Sequence, residues 1–194
     1  MKDKKLIMIN EILEDLRKEI VQKKKEYYEL AKQLPLKAVP DYIFRGTIGN
    51  KIKLSDLFGS KDELILIHNM GVNCPYCTMW ADGFNGVLQH IENKAAFAVT
   101  SPDDPDTMKK FSHERKWIFT MVSTKGNNFK EDLGFKTDEG ELLPGVSTFR
   151  KEKDGKIYLT ASTFFGPGDD FCSVWYFFDL LYKKDENWTP KLNY

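Results

Sequence analysis

The chain has 194 residues, of which 41% are hydrophobic and 30% are charged, so it can build one full hydrophobic core but not two. Its 29 basic and 29 acidic side chains cancel, which removes the electrostatic attraction that nucleic acids and anionic membranes require. No apolar run approaches the roughly 20 residues that cross a bilayer, and the first residues lack the pattern of a secretory signal. We therefore expect a cytoplasmic protein that binds neither nucleic acid nor a membrane.

The first predicted element is a long amphipathic helix over residues 1–34. Its apolar residues recur in alternating steps of three and four, with Lys23 at one position of the series: Leu6, Ile9, Leu13, Leu16, Ile20, Tyr27, Leu30 and Leu34. Two arrangements stay open, since the helix either packs on its own domain or joins a second copy in a homodimer. Pro35 and Pro40 bound a segment that we expect to be a linker before a domain over residues 41–194.

The body of the chain alternates predicted strands and helices. A short hairpin turns at Gly49 and Asn50 and leads through a one-turn helix to an apolar strand over residues 63–70. The later elements are helices over residues 77–91, 107–116 and 171–182 and strands over residues 95–100, 117–123, 146–150 and 156–160. The strand at 63–70 lacks alternation, which is typical of a central strand buried on both faces. This order predicts an α/β domain with a mixed sheet.

The motif that carries chemistry follows this strand directly. The sequence Cys74-Pro75-Tyr76-Cys77 places one sulfur at the start of the predicted helix and the other in its first turn. A helix N-terminus stabilises a thiolate, which is the nucleophile of thiol–disulfide exchange. The spacing brings Cys77 within bonding range of Cys74, and Pro75 restricts the loop between them. We therefore predict Cys74 as the nucleophile and Cys77 as the resolving thiol, in a reaction that needs no organic cofactor.

Two other functions stay open, because the same cysteine spacing also supplies half of a zinc site. A metal could be held by Cys74, Cys77 and His68, although the sequence contains no second close pair of ligands. A protein that keeps the fold as a non-enzymatic binding or assembly module is the other alternative. Cys172 lies far from the motif, and we expect it to be buried and unreactive.

The chain resembles the thioredoxin superfamily. Its Cys-Pro-Tyr-Cys tetrapeptide is typical of glutaredoxins, and the hairpin before the first central strand is similar to that of peroxiredoxins and membrane-anchored thioredoxins. Residues 73–86 are similar to the signature of a bacterial thioredoxin-like family described as a domain of unknown function, and the likeness covers about residues 36–179. The resemblance implies a thioredoxin-like mixed sheet flanked by helices, with a long N-terminal helical extension. It also implies a thiol–disulfide oxidoreductase that acts on a protein or low-molecular-weight disulfide.

The resemblance assigns further site residues. His68 takes the place of the buried acid that relays a proton to the resolving thiol of thioredoxins, and its neutral-range pKa suits a base. A histidine that only forms a hydrogen bond at the strand end is the alternative. Ser147 takes the place of the cis-proline that faces the cysteines. We therefore group Ser147 with Pro75, Tyr76 and Trp80 as candidate substrate contacts.

Three glycines and an aromatic cluster complete the predictions. Gly71 stands where peroxiredoxins carry Thr or Ser three residues before their reactive cysteine, which argues against peroxide reduction by their mechanism. Gly83 and Gly86 cost a helix roughly 1 kcal/mol each, so we expect close approach of another backbone there, with a ligand cavity beside Trp80 and Asp82 as the alternative. We expect these aromatic residues in the core: Phe164, Phe165, Phe171, Trp175, Phe177 and Phe178.

Overall fold

The computed structural model describes residues 2–183, 185 and 187–194. The chain divides into two compact units, and the division falls between Leu36 and Lys37. The first unit is built on the helix α1 (Lys2–Ala31). This helix ends before residue 34 because the amides of Gln33 and Leu34 bond to carbonyls three residues back rather than four. None of the described helices is both long enough and apolar enough to cross a membrane.

The apolar face of α1 is exposed. Every member of the three-four series is at least 40% exposed, namely Leu6, Ile9, Leu13, Leu16, Ile20, Tyr27, Leu30 and Leu34. In the same register, Glu19 and Lys24 take the flanking positions that meet each other across two parallel helices. In a parallel pair of α1 helices, their opposite charges would attract each other.

We expect Leu13→Glu to shift the protein from dimer to monomer, because it places a charge in the middle of this face. Val21→Glu is the matched control, since Val21 is 64% exposed and lies outside the three-four series. Sedimentation equilibrium should show a dissociation constant raised about tenfold or more for Leu13→Glu and little changed for Val21→Glu. A protein that sediments as a monomer at micromolar concentration would contradict the predicted homodimer.

The second unit is built on one mixed sheet with helices on both faces. Its strands are β1 (Lys37–Val39), β2 (Ile43–Gly46), β3 (Lys51–Lys53), β4 (Glu63–His68), β5 (Ala96–Ser101), β6 (Thr120–Ser123), β7 (Gly145–Lys151) and β8 (Ile157–Phe164). Its helices are α2 (Pro75–Lys94), α3 (Pro105–Arg115), α4 (Phe129–Asp132) and α5 (Val174–Asp179), with a 3-10 turn at Leu54–Phe58. The described strands lie in the order β1-β8-β7-β4-β5-β6-β2-β3. This arrangement confirms the predicted α/β class and mixed sheet.

The central strand β4 is buried on both faces, as its unbroken apolar sequence predicts. Leu64 and Leu66 join a core with residues of the 3-10 turn and α4, whereas Ile67 joins a second core with residues of α2 and α3. Because β4 pairs in parallel with β5, and β5 in parallel with β6, the carboxyl ends of these three strands meet at one edge of the sheet. The loops that follow them therefore lie together.

Several segments of the second unit differ from the prediction. The short helix α4 was not predicted, and β6 begins at Thr120 rather than at residue 117. Residues 37–39, expected within the linker, form the edge strand β1, in which Lys37 pairs with Leu159 of β8. The closing helix is restricted to α5, because the preceding residues form a turn in which Asp169 accepts the amides of Gly166 and Phe171. The aromatic residues expected in the core accordingly differ in their burial. Phe165 is buried, Trp175 is partly buried, and Phe164, Phe171, Phe177 and Phe178 are exposed.

Gly83 and Gly86 are not closely approached by the rest of the second unit. Within its described residues, a β-carbon at either position would have nothing within 4 Å. Gly83 instead lines a cavity of about 520 Å³ with Asp82, Arg115 and Cys172 among its other walls. Trp80 does not line this cavity. Asp82 accepts hydrogen bonds from the Arg115 guanidinium and, at 2.8 Å, from the indole of Trp117, so it ties α2 to the segment after α3.

Candidate active site

The cysteine motif lies at the carboxyl end of β4, where Cys74 caps α2. The Cys74 backbone is extended (φ −93°, ψ 105°), and its Sγ accepts the backbone N–H of Cys77 at 3.0 Å. Pro75 occupies the start of the helix, where its missing N–H costs no helical hydrogen bond. The Cys74 carbonyl accepts both the backbone N–H and the hydroxyl of Thr78 at 3.0 Å. The Cys74 sulfur thus replaces the side-chain oxygen that usually caps a helix.

Cys74 is the more acidic of the two thiols. A hydrogen bond from the Cys77 thiol lowers the pKa of Cys74 to about 7, and the backbone N–H groups of Cys77 and Tyr76 act in the same direction against the effect of burial. The Cys74 side chain is only partly buried, so solvent and reagents reach the sulfur. A large fraction of Cys74 is therefore thiolate near neutral pH.

Cys77 keeps its proton. Its side chain is 4% exposed, and its Sγ accepts the backbone N–H of Met70 at 3.4 Å. The hydrogen bond to Cys74, burial and the negative charge on Cys74 all raise the pKa of the Cys77 thiol. The pair therefore consists of an accessible thiolate and a buried thiol that donates to it.

His68 is fully buried and lies at the end of β4. Its Nε2 is 2.9 Å from the hydroxyl of Ser147, and its ring stacks on Phe135 with centroids 3.6 Å apart. Burial, with a further effect of the positive charge on Lys130, lowers the pKa of His68 well below its usual value, so the ring is neutral. Within the described residues Nδ1 has no partner, and neither ring nitrogen forms a hydrogen bond to a cysteine. This geometry matches the alternative of a histidine that bonds at the strand end, and no contact supports the proton relay.

The candidate substrate contacts separate into two groups. Pro75 and Tyr76 are partly exposed beside Cys74. Ser147 is fully buried against His68, and Trp80 is 2% exposed and donates its indole N–H to Asp169 at 3.4 Å. Neither of these two side chains lies where a substrate can touch it, because His68 covers Ser147 and Phe165 and Trp175 pack against Trp80. This burial corrects their assignment as substrate contacts. The described peptide bonds include no cis bond at the Ser147 position or elsewhere.

The loop before the motif is fixed by two side chains from neighbouring strand ends. Asn69 accepts the N–H of Gly71 at 2.7 Å through its side chain, and Asp103 accepts the N–H of Val72 at 2.9 Å. Gly71 has a φ of +111°, and a β-carbon there would lie 3.1 Å from the Asp103 carboxylate. Glycine is therefore required at the place where peroxiredoxins carry Thr or Ser.

A buried lysine belongs to the site, and the sequence did not reveal it. Lys130 of α4 is 2% exposed, and its Nζ donates to the carbonyl oxygen of Asn69 at 2.9 Å. Desolvation lowers the pKa of Lys130 to about 7, against the opposing effects of Cys77, Glu131 and Asp103. Lys130 occurs in a short polar segment, where the local pattern does not distinguish it from a surface lysine.

Cys172 and the alternative of a metal site remain to be compared with the structure. Cys172 is buried, as expected, and burial raises the pKa of its thiol. Among the residues that the structure describes, no group of three or more His, Cys, Asp or Glu side chains is arranged to hold a metal ion. The metal alternative would need His68 to turn from Ser147 toward the cysteines.

Comparison with solved structures identifies the class of fold. The chain is similar to the peroxidoxin BcpB from Mycobacterium tuberculosis, with a TM-score of 0.51 and 24% identity over 63% of this chain and 80% of that chain. A peroxiredoxin-like protein from Aquifex aeolicus gives a TM-score of 0.52 and 20% identity over 68% of this chain and 76% of that chain. The predicted thioredoxin-like fold is thus confirmed.

The sequence identifies the family within that class. Residues 9–191 match the family described as bacterial protein of unknown function (DUF899), and the chain belongs to that family. The chain is also similar to the chloroplastic peroxiredoxin Q of Populus jackii, with 27% identity over 131 residues. The match covers 67% of this chain and 61% of that protein's length.

The pKa difference between the two thiols predicts their reactivity. The alkylation rate of Cys74 by iodoacetamide should rise as the pH rises through about 7 and then level off, because only the thiolate reacts. Cys77, and Cys172 as a second buried thiol, should react slowly over the same pH range. Peptide mass spectrometry after timed quenching measures all three rates. Equal rates at Cys74 and Cys77, or a Cys74 rate that still climbs steeply above pH 8, would contradict this assignment.

Proposed function

We propose that the protein is a thiol–disulfide oxidoreductase in which Cys74 attacks the substrate and Cys77 resolves the mixed disulfide. The observation that carries the proposal is the helix cap. The Cys74 sulfur accepts the Cys77 amide at 3.0 Å and has a pKa of about 7, while the adjacent Cys77 thiol stays protonated. A two-step exchange requires one accessible nucleophilic thiolate and one protonated thiol that resolves the mixed disulfide.

The reaction proceeds through two sulfur transfers. The Cys74 thiolate attacks one sulfur of the substrate disulfide, and the first substrate thiolate leaves and takes a proton from solvent. Cys77 then loses its proton and attacks the Cys74 sulfur, which breaks the mixed disulfide and releases the second substrate thiolate. Two electrons thus pass from the cysteine pair to the substrate, and the protein is left with a Cys74–Cys77 disulfide.

The substrate is a protein or low-molecular-weight disulfide. Cys74 is partly exposed, and Pro75 and Tyr76 offer partly exposed apolar surface beside it. The Tyr76 ring is supported from behind by Trp80 and Trp175, with ring centroids 6.2 Å and 6.3 Å away. Tyr76 is therefore held in place beside Cys74, where a substrate chain would lie.

A peroxide is the second candidate oxidant, and the 27% identity to peroxiredoxin Q favours it. In that reaction the Cys74 thiolate would attack a peroxide oxygen and become a sulfenic acid, with release of water or an alcohol. Cys77 would then condense with the sulfenic acid and release water. We rank this candidate second because Gly71 lacks the hydroxyl that peroxiredoxins carry at this place. Asp103 crowds the same position.

We expect Cys77→Ser to accumulate a mixed disulfide between Cys74 and glutathione, because the resolving thiol is missing. Cys74→Ser should abolish both the adduct and the reduction of a disulfide substrate. Cys172→Ser is the control and should leave both close to the wild-type level, since Cys172 is a buried thiol whose pKa is raised by burial. Intact mass after incubation with oxidised glutathione reports the adduct, and turnover with the same disulfide reports the activity.

The outcomes separate the candidate functions. No trapped adduct, together with equal reactivity of Cys74 and Cys77, would contradict the oxidoreductase and favour a non-enzymatic binding module. Oxidation of Cys74 that is much faster with hydrogen peroxide than with oxidised glutathione would favour the peroxide. Zinc retained by the wild-type protein and lost by Cys74→Ser would favour the metal site.

A further inference from the structure

One peptide group connects Cys77 to the buried Lys130. The carbonyl oxygen of Asn69 accepts a hydrogen bond from Lys130 Nζ at 2.9 Å. The amide of the same peptide group, which is the N–H of Met70, donates to Cys77 Sγ at 3.4 Å. The described peptide bonds include no cis bond, so these two hydrogen bonds leave from opposite sides of one planar group.

The two hydrogen bonds strengthen each other. A donor at the carbonyl oxygen draws electron density through the conjugated peptide and makes its N–H a better donor. A positively charged donor such as an ammonium group does this more strongly than a neutral one. The Met70 amide therefore stabilises a negative sulfur at Cys77 best when Lys130 carries its proton.

Burial makes this coupling effective. Lys130 is 2% exposed and Cys77 is 4% exposed, so little water screens the charges between them. The positive charge of Lys130 lowers the pKa of Cys77, and a negative Cys77 raises the pKa of Lys130. The other charged groups that act on Lys130 are the carboxylates of Glu131 and Asp103, which also favour its protonated form. His68 is neutral and adds no charge.

We propose that Lys130 is a positioning residue for the resolving step, which stabilises the Cys77 thiolate through the Asn69–Met70 peptide group. This inference rests on the proposed exchange at Cys74 and Cys77. Lys130 acts on the second sulfur transfer and not on the first, because the causes that lower the pKa of Cys74 come from Cys77 and Tyr76 and do not include Lys130.

The order of the two sulfur transfers explains why Lys130 affects only the second one. While Cys74 is a thiolate, its charge and hydrogen bond keep the proton on Cys77. Formation of the mixed disulfide removes that charge, and Cys77 can then release its proton to solvent. The new thiolate is held by the Met70 amide and the Lys130 charge until it attacks Cys74 Sγ, which breaks the mixed disulfide and releases the substrate sulfur with the electron pair.

A chromogenic disulfide separates the two steps. Dithiobis-nitrobenzoate releases one coloured thiolate when Cys74 attacks it and a second when Cys77 resolves the adduct, so stopped-flow absorbance shows two phases. The full-length protein with Cys172→Ser serves as the parent, so that two thiols contribute. Lys130→Met should slow the second phase about threefold or more below pH 7, where Lys130 is protonated, and shift its pH profile upward. The threefold figure assumes a tenfold loss of thiolate that is partly offset by greater nucleophilicity.

The controls make the result specific. The first phase of Lys130→Met should match the parent within about twofold. Lys125→Met, which changes an exposed lysine five residues away, should leave both phases unchanged. Lys130→Gln keeps a hydrogen-bond donor without the charge and should also slow the second phase, which provides a second variant should Lys130→Met fail to fold.

Three results would be decisive against these ideas. Equal second phases in the parent and both Lys130 variants would overturn the role of Lys130 and leave the exchange reaction intact. Equal slowing of both phases would also overturn it, since Lys130 would then hold the whole loop. A parent protein without a second phase would overturn the proposed exchange itself.

Discussion

The capping of α2 by a sulfur atom is the interaction on which the site depends. A helix N-terminus has unpaired amides, and here the Cys74 sulfur accepts the amide of Cys77 at 3.0 Å. That hydrogen bond is strongest when the sulfur is negative, so the fold of the helix and the acidity of Cys74 are coupled. The same turn places the Cys77 thiol against Cys74 and keeps it protonated. The geometry of this one turn thus lowers the pKa of Cys74 and raises the pKa of Cys77.

The rest of the second unit holds this turn in place. β4 is buried on both faces, so its carboxyl end is fixed, and the next residues are bonded to groups from adjacent strands. Asp103 reaches the Val72 amide from the loop after β5, and Lys130 reaches Asn69 from α4 after β6. The carboxylate that fixes the loop also crowds Gly71, where a β-carbon would lie 3.1 Å from it and the positive φ would strain any other residue. The loop can therefore keep a redox pair without the hydroxyl that peroxiredoxins place there.

The sequence predicts the parts of this site that are local. Periodicity and turn residues identify β4, α2 and the mixed sheet, and the spacing of Cys74 and Cys77 identifies the motif. The contacts between distant residues could not be predicted, since Lys130 is 61 residues from Asn69 and Ser147 is 79 residues from His68. Exposure of the C-terminal aromatic residues also escaped prediction, because composition does not show that the turn around Asp169 delays the start of α5.

The reversible formation of a disulfide between Cys74 and Cys77 is the most direct test of the account. The protein would be equilibrated in buffers of reduced and oxidised dithiothreitol, quenched with acid, and mapped by peptide mass spectrometry under non-reducing conditions. The account predicts one disulfide, between Cys74 and Cys77, that forms and breaks with the buffer ratio while Cys172 stays a free thiol. Persistence of both thiols in excess oxidant, or pairing of Cys74 with Cys172, would contradict it.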